Sequence, residues 1–259
     1  MTPTTFYKYH GTGNDFVIID NRDNHFSKKD AKLIKHICDR NYGVGADGLI
    51  LLEKHETLDF TMVYYNADGN ESSMCGNGGR CIASFAHFLG VASGRASFEA
   101  IDGIHHVSFL EEGQVSLQMS DVAAVHVLDS HVFMDTGSPH HVQLTDDVDH
   151  LDVVALGKHL RNDMYGVQGA NINFVEPVGG NLFKVRTYER GVENETLSCG
   201  TGVTAVALAM NKTGQTNENE VILNTPGGQL KVSFNHSGEA YNDIWLTGPA
   251  VQVFKGEWS

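Results

Sequence analysis

At 259 residues the chain has room for one large domain or two of ordinary size, and 41% apolar against 19% charged residues gives it the material of a buried core. A formal charge of −14 argues against nucleic acid and anionic membranes as partners, because holding phosphates takes a basic face. The opening stretch from Met1 to Phe6 lacks a basic segment followed by an apolar run, and no stretch nears the roughly 18 apolar residues of a membrane span. A soluble, cytoplasmic protein is expected.

In chain order, residues 16–19, 49–52 and 60–65 are rich in β-branched and aromatic side chains and read as strands. Between the first two, residues 28–40 read as an outer amphipathic helix. Gly43-Val44-Gly45-Ala46-Asp47-Gly48 spells a dinucleotide fingerprint, but it follows a helix and opens a strand, the reverse of the required context, so it reads as a turn. After the third strand comes a turn-rich segment ending in Cys75-Gly76-Asn77-Gly78, then an apolar helical run over residues 80–89. Turns follow at Asp102-Gly103 and later at Pro226-Gly227-Gly228, between further strands. A second helical run covers residues 203–210. Both runs are apolar nearly all round, which suits helices buried on most sides.

The chain repeats itself. Tyr64, Glu71, Cys75, Gly76 and Gly78 recur as Tyr188, Glu195, Cys199, Gly200 and Gly202, each pair 124 residues apart. The same spacing aligns Thr12-Gly13-Asn14 with Thr136-Gly137-Ser138, and at 125 residues Gly103 and Val107-Ser108-Phe109 match Gly228 and Val232-Ser233-Phe234. The period is far longer than a solenoid unit, so it reads as two like-folded α+β halves from a duplication, each with strands wrapped around one central helix. The boundary is expected near residues 118–130, with residues 1–119 carrying Cys75 and residues 120–249 carrying Cys199.

Four cysteines without a C-x-x-C fit neither a disulfide scaffold nor a zinc site, and Cys38 and Cys81 read as buried small hydrophobes. Cys75 and Cys199 differ because a packing cysteine has little reason to recur with the same glycines. A cysteine followed by Gly-x-Gly and a helix puts the thiol at a helix start, where backbone N–H groups and the helix dipole attract a carboxylate or a phosphate alike. The same field lowers a thiol toward ionisation near neutrality. Two such sites converging on one ligand would serve racemisation, one sulfur as thiolate base and the other as thiol acid. A redox pair is the competing reading, and it needs the two Cα atoms about 4.4–6.8 Å apart. Among the 14 histidines H-E-x-x-H is absent and no metal site is expected; most read as surface residues. His140, in the stretch that aligns with Asn14, is either a site residue or loop packing. Glu189-Arg190 is either a surface ion pair or, from its match to Tyr65-Asn66, part of the site.

His10-Gly11-Thr12-Gly13-Asn14-Asp15-Phe16, Asn66-Ala67-Asp68-Gly69 through Arg80, Gly137-Ser138-Pro139-His140, Asn171-Ile172-Asn173-Phe174 and Tyr188-Glu189-Arg190-Gly191 through Gly202 together resemble the diaminopimelate epimerase family, in order and over essentially the whole chain. The resemblance implies a fold of two pseudo-symmetric halves of mostly antiparallel strands around a central helix, with residues 250–259 returning to the first half. It implies interconversion of LL- and meso-diaminopimelate, in lysine and peptidoglycan precursor synthesis, without pyridoxal phosphate, metal or other cofactor. Cys75 and Cys199 would be the acid/base pair, tuned by His140 and Glu189. Backbone amides of Gly76, Asn77, Gly200 and Thr201 would hold the reacting carboxylate, and Asn14, Asn66, Ser138, Asn171, Glu189 and Arg190 the remaining polar groups, Arg190 suiting the distal carboxylate. It further implies a homodimer with Phe254 in its interface. Two departures stand out: Ser138 replaces a frequent asparagine, and Gly48 a frequent glutamine, so no side-chain contact carries over at Gly48. A proline racemase-like activity is the nearest alternative within the fold, and a thiol redox or ligand-binding protein the alternative outside it.

Overall fold

A computed structural model describes residues 3–259; Met1 and Thr2, where the reading of the N-terminus began, lie outside the described residues. The chain forms two compact units, one running to Leu117 and resuming over Gly248–Ser259, the other Gln118–Thr247.

The first unit contains β1 (Thr4–Gly11), β2 (Asn14–Asp20), α1 (Ala31–Cys38), β3 (Gly48–Glu53), β4 (Phe60–Asn66), α2 (Gly76–Phe88), β5 (Arg95–Ala100), β6 (Gly103–Phe109) and β7 (Gln114–Gln118). The second contains β8 (His126–Val127), β9 (Val132–Asp135), β10 (Pro139–Leu144), α3 (Val153–Tyr165), β11 (Asn171–Gly179), β12 (Leu182–Glu189), β13 (Asn194–Thr196), α4 (Gly200–Lys212), β14 (Glu220–Thr225), β15 (Gly228–Ser237) and β16 (Ala240–Pro249). The last strand, β17 (Val251–Trp258), pairs antiparallel with β1 in the first unit.

The pairing order shows the repeat directly. From β17 through β1 and β2, the ladders run antiparallel, antiparallel, parallel to β3, antiparallel to β4, parallel to β5, then antiparallel to β6 and β7. From β8 through β9, β10, β11, β12, β14, β15 and β16 the same succession recurs. Each parallel step is bridged by a helix, as a crossover requires: α1 and α2 in one unit, α3 and α4 in the other. In this scheme β17 takes in the first unit the place that β8 takes in the second.

The central helices are buried because their sequences have almost no polar face. In α2 every residue from Gly76 to Ala86 except Ser84 is buried, and in α4 every residue from Val203 to Met210. Helix α2 packs on β1, β2, β3, β6 and β17; α4 packs on β9, β10, β11, β12, β14 and β15. Strand β3 is buried along its whole length and β2 over Phe16–Ile19, as expected of strands covered on both faces. The outer helix is shorter than predicted. Asp30 caps it by accepting from Leu33 N at 3.0 Å, and only Ile34, Ile37 and Cys38, one stripe, are buried. Helix α3 was not predicted. It buries only Val153 and Gly157, so its apolar contrast is weak, and its clearest signal is the cap, Asp152 accepting from Ala155 N at 3.0 Å. Among the described residues no helix is long and apolar enough to cross a membrane.

Candidate active site

Both motif cysteines stand at the N-cap of a central helix. The helices begin at Gly76 and Gly200, a full turn before the runs predicted at residues 80 and 203, so the Gly-x-Gly segments are first-turn backbone. Helix geometry leaves the N–H groups of that turn outside the internal hydrogen-bond ladder, which is what an anion at this position uses.

In the first unit, extended backbone at Cys75 lets its sulfur fill the place usually taken by a serine or aspartate oxygen, accepting from Gly78 N at 3.2 Å. Asn14, at the start of β2, sets its amide by donating to Asp47 at 2.6 Å. Its carbonyl oxygen accepts from Asn77 Nδ2 at 3.3 Å and lies 3.9 Å from the Cys75 sulfur. Arg80 in turn holds Asn77, donating to its Oδ1 at 2.8 Å. Arg40 ties Asp15 and Asp47 together at 2.8 and 2.7 Å. Beside Arg40 and Lys8, Asp15 stays ionised far into acid, with its carboxyl held down to about 2 against the opposing effect of burial. Asn66 ends β4 with its side chain exposed and its backbone in the turn, accepting from Gly69 N at 2.9 Å. A Cβ built on Gly48 would stand 2.5 Å from Tyr65 O and from the Tyr64 ring, so this backbone excludes any side chain there.

In the second unit the Cys199 sulfur makes no capping bond to its own helix and lies 3.5 Å from Thr201 Oγ1. His140, on β10, is fully buried and contacts Thr201 Oγ1 at 2.9 Å through Nε2 and Asn173 Nδ2 at 3.1 Å through Nδ1. Burial first, then the nearby Arg190 charge, pushes its protonation down to about 3, so the ring is neutral at any working pH. Ser138 Oγ accepts from both Asn171 Nδ2 at 3.0 Å and Arg190 Nη2 at 3.1 Å, while Asn171 Oδ1 accepts from Arg190 N at 2.9 Å. The shorter serine at 138 thus acts as an acceptor tying β10, β11 and the end of β12 together. Arg190 is exposed and also donates to Gln168 O at 3.1 Å. Glu189 closes β12 opposite Asn194.

Two groupings therefore emerge among the predicted residues, Asn14 and Asn77 around Cys75, and Ser138, His140, Asn171, Arg190 and Thr201 around Cys199. Asn66 stands apart from the hydrogen-bonded network of its unit. The sequence reading missed Asp47, Arg80, Asn173 and Thr187, which orient these side chains. Most histidines are exposed or half-buried, as the sequence reading expected; besides His140 the exceptions are His131 and His141, buried and stacked with ring centroids 4.1 Å apart. Cys38 and Cys81 are buried, and burial raises the Cys38 thiol to about 12 and Cys81 higher still, leaving both inert. The Gly43–Gly48 segment is a turn entering β3. Among the described residues no cluster of three or more His, Cys, Asp or Glu side chains could hold a metal ion.

A duplicated α+β chain with a cysteine at the N-cap position of each central helix defines the class. In fold it resembles the crystal structure of a Bacillus anthracis phenazine biosynthesis protein of the PhzF family, with a TM-score of 0.80 over 100% of both chains at 14% identity. The diaminopimelate epimerase family model matches residues 6–125 and 132–253. A diaminopimelate epimerase of Flavobacterium psychrophilum is 53% identical over 250 residues, 96% of this chain and 98% of that protein. One of Chlorobaculum tepidum is 41% identical over 256 residues, 95% and 98% of the two chains. The chain belongs to the diaminopimelate epimerase family.

Proposed function

We infer that this protein interconverts LL- and meso-diaminopimelate, using Cys75 and Cys199 as proton carriers on opposite faces of one α-carbon. The observation that carries the reading is that each cysteine stands at the N-cap position of a buried helix opening with Gly-x-Gly, in a chain of this family. Racemisation needs a base that removes the α-proton from one face and an acid that delivers a proton to the other. A thiolate and a thiol meet both needs and exchange roles with each turnover. First-turn amides at Gly76, Asn77, Gly200 and Thr201 bind the carboxylate and stabilise the charge that builds up beside it as the proton leaves. Arg190 suits the distal carboxylate through a bidentate contact, with Asn14, Asn66, Ser138, Asn171 and Glu189 on the ammonium and remaining polar groups. The chemistry rests on side chains and backbone and calls for no cofactor. The reaction serves lysine and peptidoglycan precursor synthesis in the cytoplasm.

Incubation with LL-diaminopimelate in deuterated water, followed by proton NMR, tests this reading. The expected result is conversion to the meso isomer with deuterium at one α-carbon. Label in proline alone would move the substrate to the proline racemase type, and no exchange in either amino acid would leave a thiol redox or ligand-binding protein. The assembly is a homodimer through β17, whose Val251, Val253 and Phe254 side chains are exposed in the single chain. Light scattering that returned a monomer mass would refute it.

A further inference from the structure

We propose that Asn173 is a positioning residue that locks His140 in one neutral tautomer, so that His140 orients the Thr201 hydroxyl beside Cys199 and takes no part itself in proton transfer. The catalytic part of this proposal rests on the epimerase reading above; the hydrogen-bond argument does not.

The assignment follows from counting donors. Asn173 is fully buried on β11, and one of its terminal side-chain atoms lies 2.9 Å from the backbone carbonyl of His141. A carbonyl can only accept, so that atom is the amide nitrogen. The other terminal atom, the oxygen, accepts from the Thr187 hydroxyl at 3.0 Å, which agrees. The amide nitrogen's second hydrogen then faces His140 Nδ1 at 3.1 Å, so Nδ1 must be the acceptor. A neutral imidazole with an acceptor at Nδ1 carries its hydrogen on Nε2, and Nε2 donates to Thr201 Oγ1 at 2.9 Å. Asn171 Nδ2, 3.4 Å from the same Nε2, has nearer acceptors in Ser138 Oγ and Pro139 O. With one lone pair of Thr201 Oγ1 occupied by His140, the hydroxyl hydrogen is directed away from the ring, and the Cys199 sulfur lies 3.5 Å off.

The packing was built around this residue. A Cβ added at Gly202, in the first turn of α4, would stand 2.6 Å from Asn173 Oδ1, so the second glycine of the motif is where the amide fits. The residues 124 positions earlier are Leu49 and Gly78, and there the space beside Gly78 holds Ile50, Met62 and the Cys75 sulfur. The polar chain is thus peculiar to the Cys199 half.

Two-bond proton–nitrogen NMR on 15N-histidine protein reads the tautomer directly. The wild type should show His140 neutral with its hydrogen on Nε2 at pH 7 and still so at pH 5. Asn173→Asp should move the hydrogen to Nδ1, and Asn173→Leu should lose the single-tautomer signature. Each variant should slow α-deuterium exchange by at least about tenfold, as a misplaced tautomer does elsewhere. A wild-type spectrum with the hydrogen on Nδ1, or with a charged ring at pH 7, would overturn the proposal without any variant having to fold. Folded variants with wild-type tautomer and rate would overturn it too. Absence of exchange in the wild type alongside the expected spectrum would defeat the catalytic reading and leave the hydrogen-bond lock standing.

Discussion

Acidification should destabilise the second unit well before any carboxylate titrates. His140 and His141 lie side by side on β10, both essentially without solvent contact. Burial is the main reason that protonation falls from the usual 6.5 to about 3 for His140 and about 4 for His141, with the Arg190 charge adding to the first and the stacked His131 to the second. His141 Nδ1 accepts from the Tyr165 hydroxyl at 2.9 Å and Nε2 donates to Gln143 at 3.2 Å, so the neutral ring is fully used. In the unfolded chain both rings take up a proton as pH drops through 6.5; in the folded chain they do not until about 4 or below. The unfolded state therefore binds more protons across this window, and stability falls as pH falls. At about 1.4 kcal/mol per pH unit, each ring removes about 2 kcal/mol by pH 5, about 4 kcal/mol together. That is a large share of the roughly 5–15 kcal/mol holding a typical domain. Asp15, held to about 2, contributes stability that is lost only below its ordinary value of 3.8, outside this window.

Urea denaturation at pH 7.5, 6 and 5 measures the loss, and His141→Phe supplies the control. Phenylalanine keeps a ring against His131 and removes one titrating group, so the drop between pH 7.5 and 5 should shrink by about half. Equal stability of the wild type at pH 7.5 and 5, or an undiminished drop in His141→Phe, would refute the reasoning.

Three further outcomes follow from the site and the caps. Cys75→Ala and Cys199→Ala should each abolish epimerisation, because one face of the α-carbon loses its proton carrier; full turnover by either variant defeats the two-thiol scheme. Arg190→Met should raise KM for diaminopimelate by about 10–100-fold, the value of a charged hydrogen bond, with a smaller effect on kcat. Steady-state kinetics separates the two. Asp152→Ala removes the cap of α3 and should cost about 1 kcal/mol, seen as a fall of about 2–4 °C in Tm by calorimetry.

The parts of the architecture that were legible in the sequence are those written in one-dimensional pattern. The recurrence of Cys-Gly-x-Gly at a fixed spacing located both helix starts, and the all-apolar runs after them identified α2 and α4 as central. The apolar runs themselves began about a turn late, at residues 80 and 203, because glycines look like loop residues until backbone geometry makes them first-turn amides. Helix α3 escaped because it buries only Val153 and Gly157, too few positions to write an apolar period. The orienting residues escaped for a different reason. Asp47 reaches Asn14 from 33 positions away and Thr187 reaches Asn173 from 14, pairings set by strand register that no local motif encodes.

The two halves keep the helix start and change what lies beneath it, and Arg80 is the sharpest case. Its head is fully buried, donates to Gly76 O at 3.1 Å, Thr12 Oγ1 at 3.4 Å and Asn77 Oδ1 at 2.8 Å, and has no carboxylate partner among the described residues. Even Nε is unpaired. The residue 124 positions later is Thr204, which makes the matching bond to Gly200 O at 2.9 Å without any charge. A threonine therefore satisfies the helix backbone, and the fold alone gives no reason to bury a cation. Desolvating it is costly, and burial lowers its pKa to about 10, still charged at neutrality. What the guanidinium adds is its grip on the Asn77 amide, which then donates to Asn14 beside the Cys75 sulfur. Arg80→Met should accordingly shift stability by no more than about 1 kcal/mol, since relief of the buried charge offsets the acceptors left unmade. Epimerisation should fall at least about tenfold as Asn77 and Asn14 lose their orientation. Urea titration and the deuterium exchange assay read the two quantities separately. A destabilisation of about 3 kcal/mol or more, or undiminished turnover, would mean that Arg80 serves the fold and not the site.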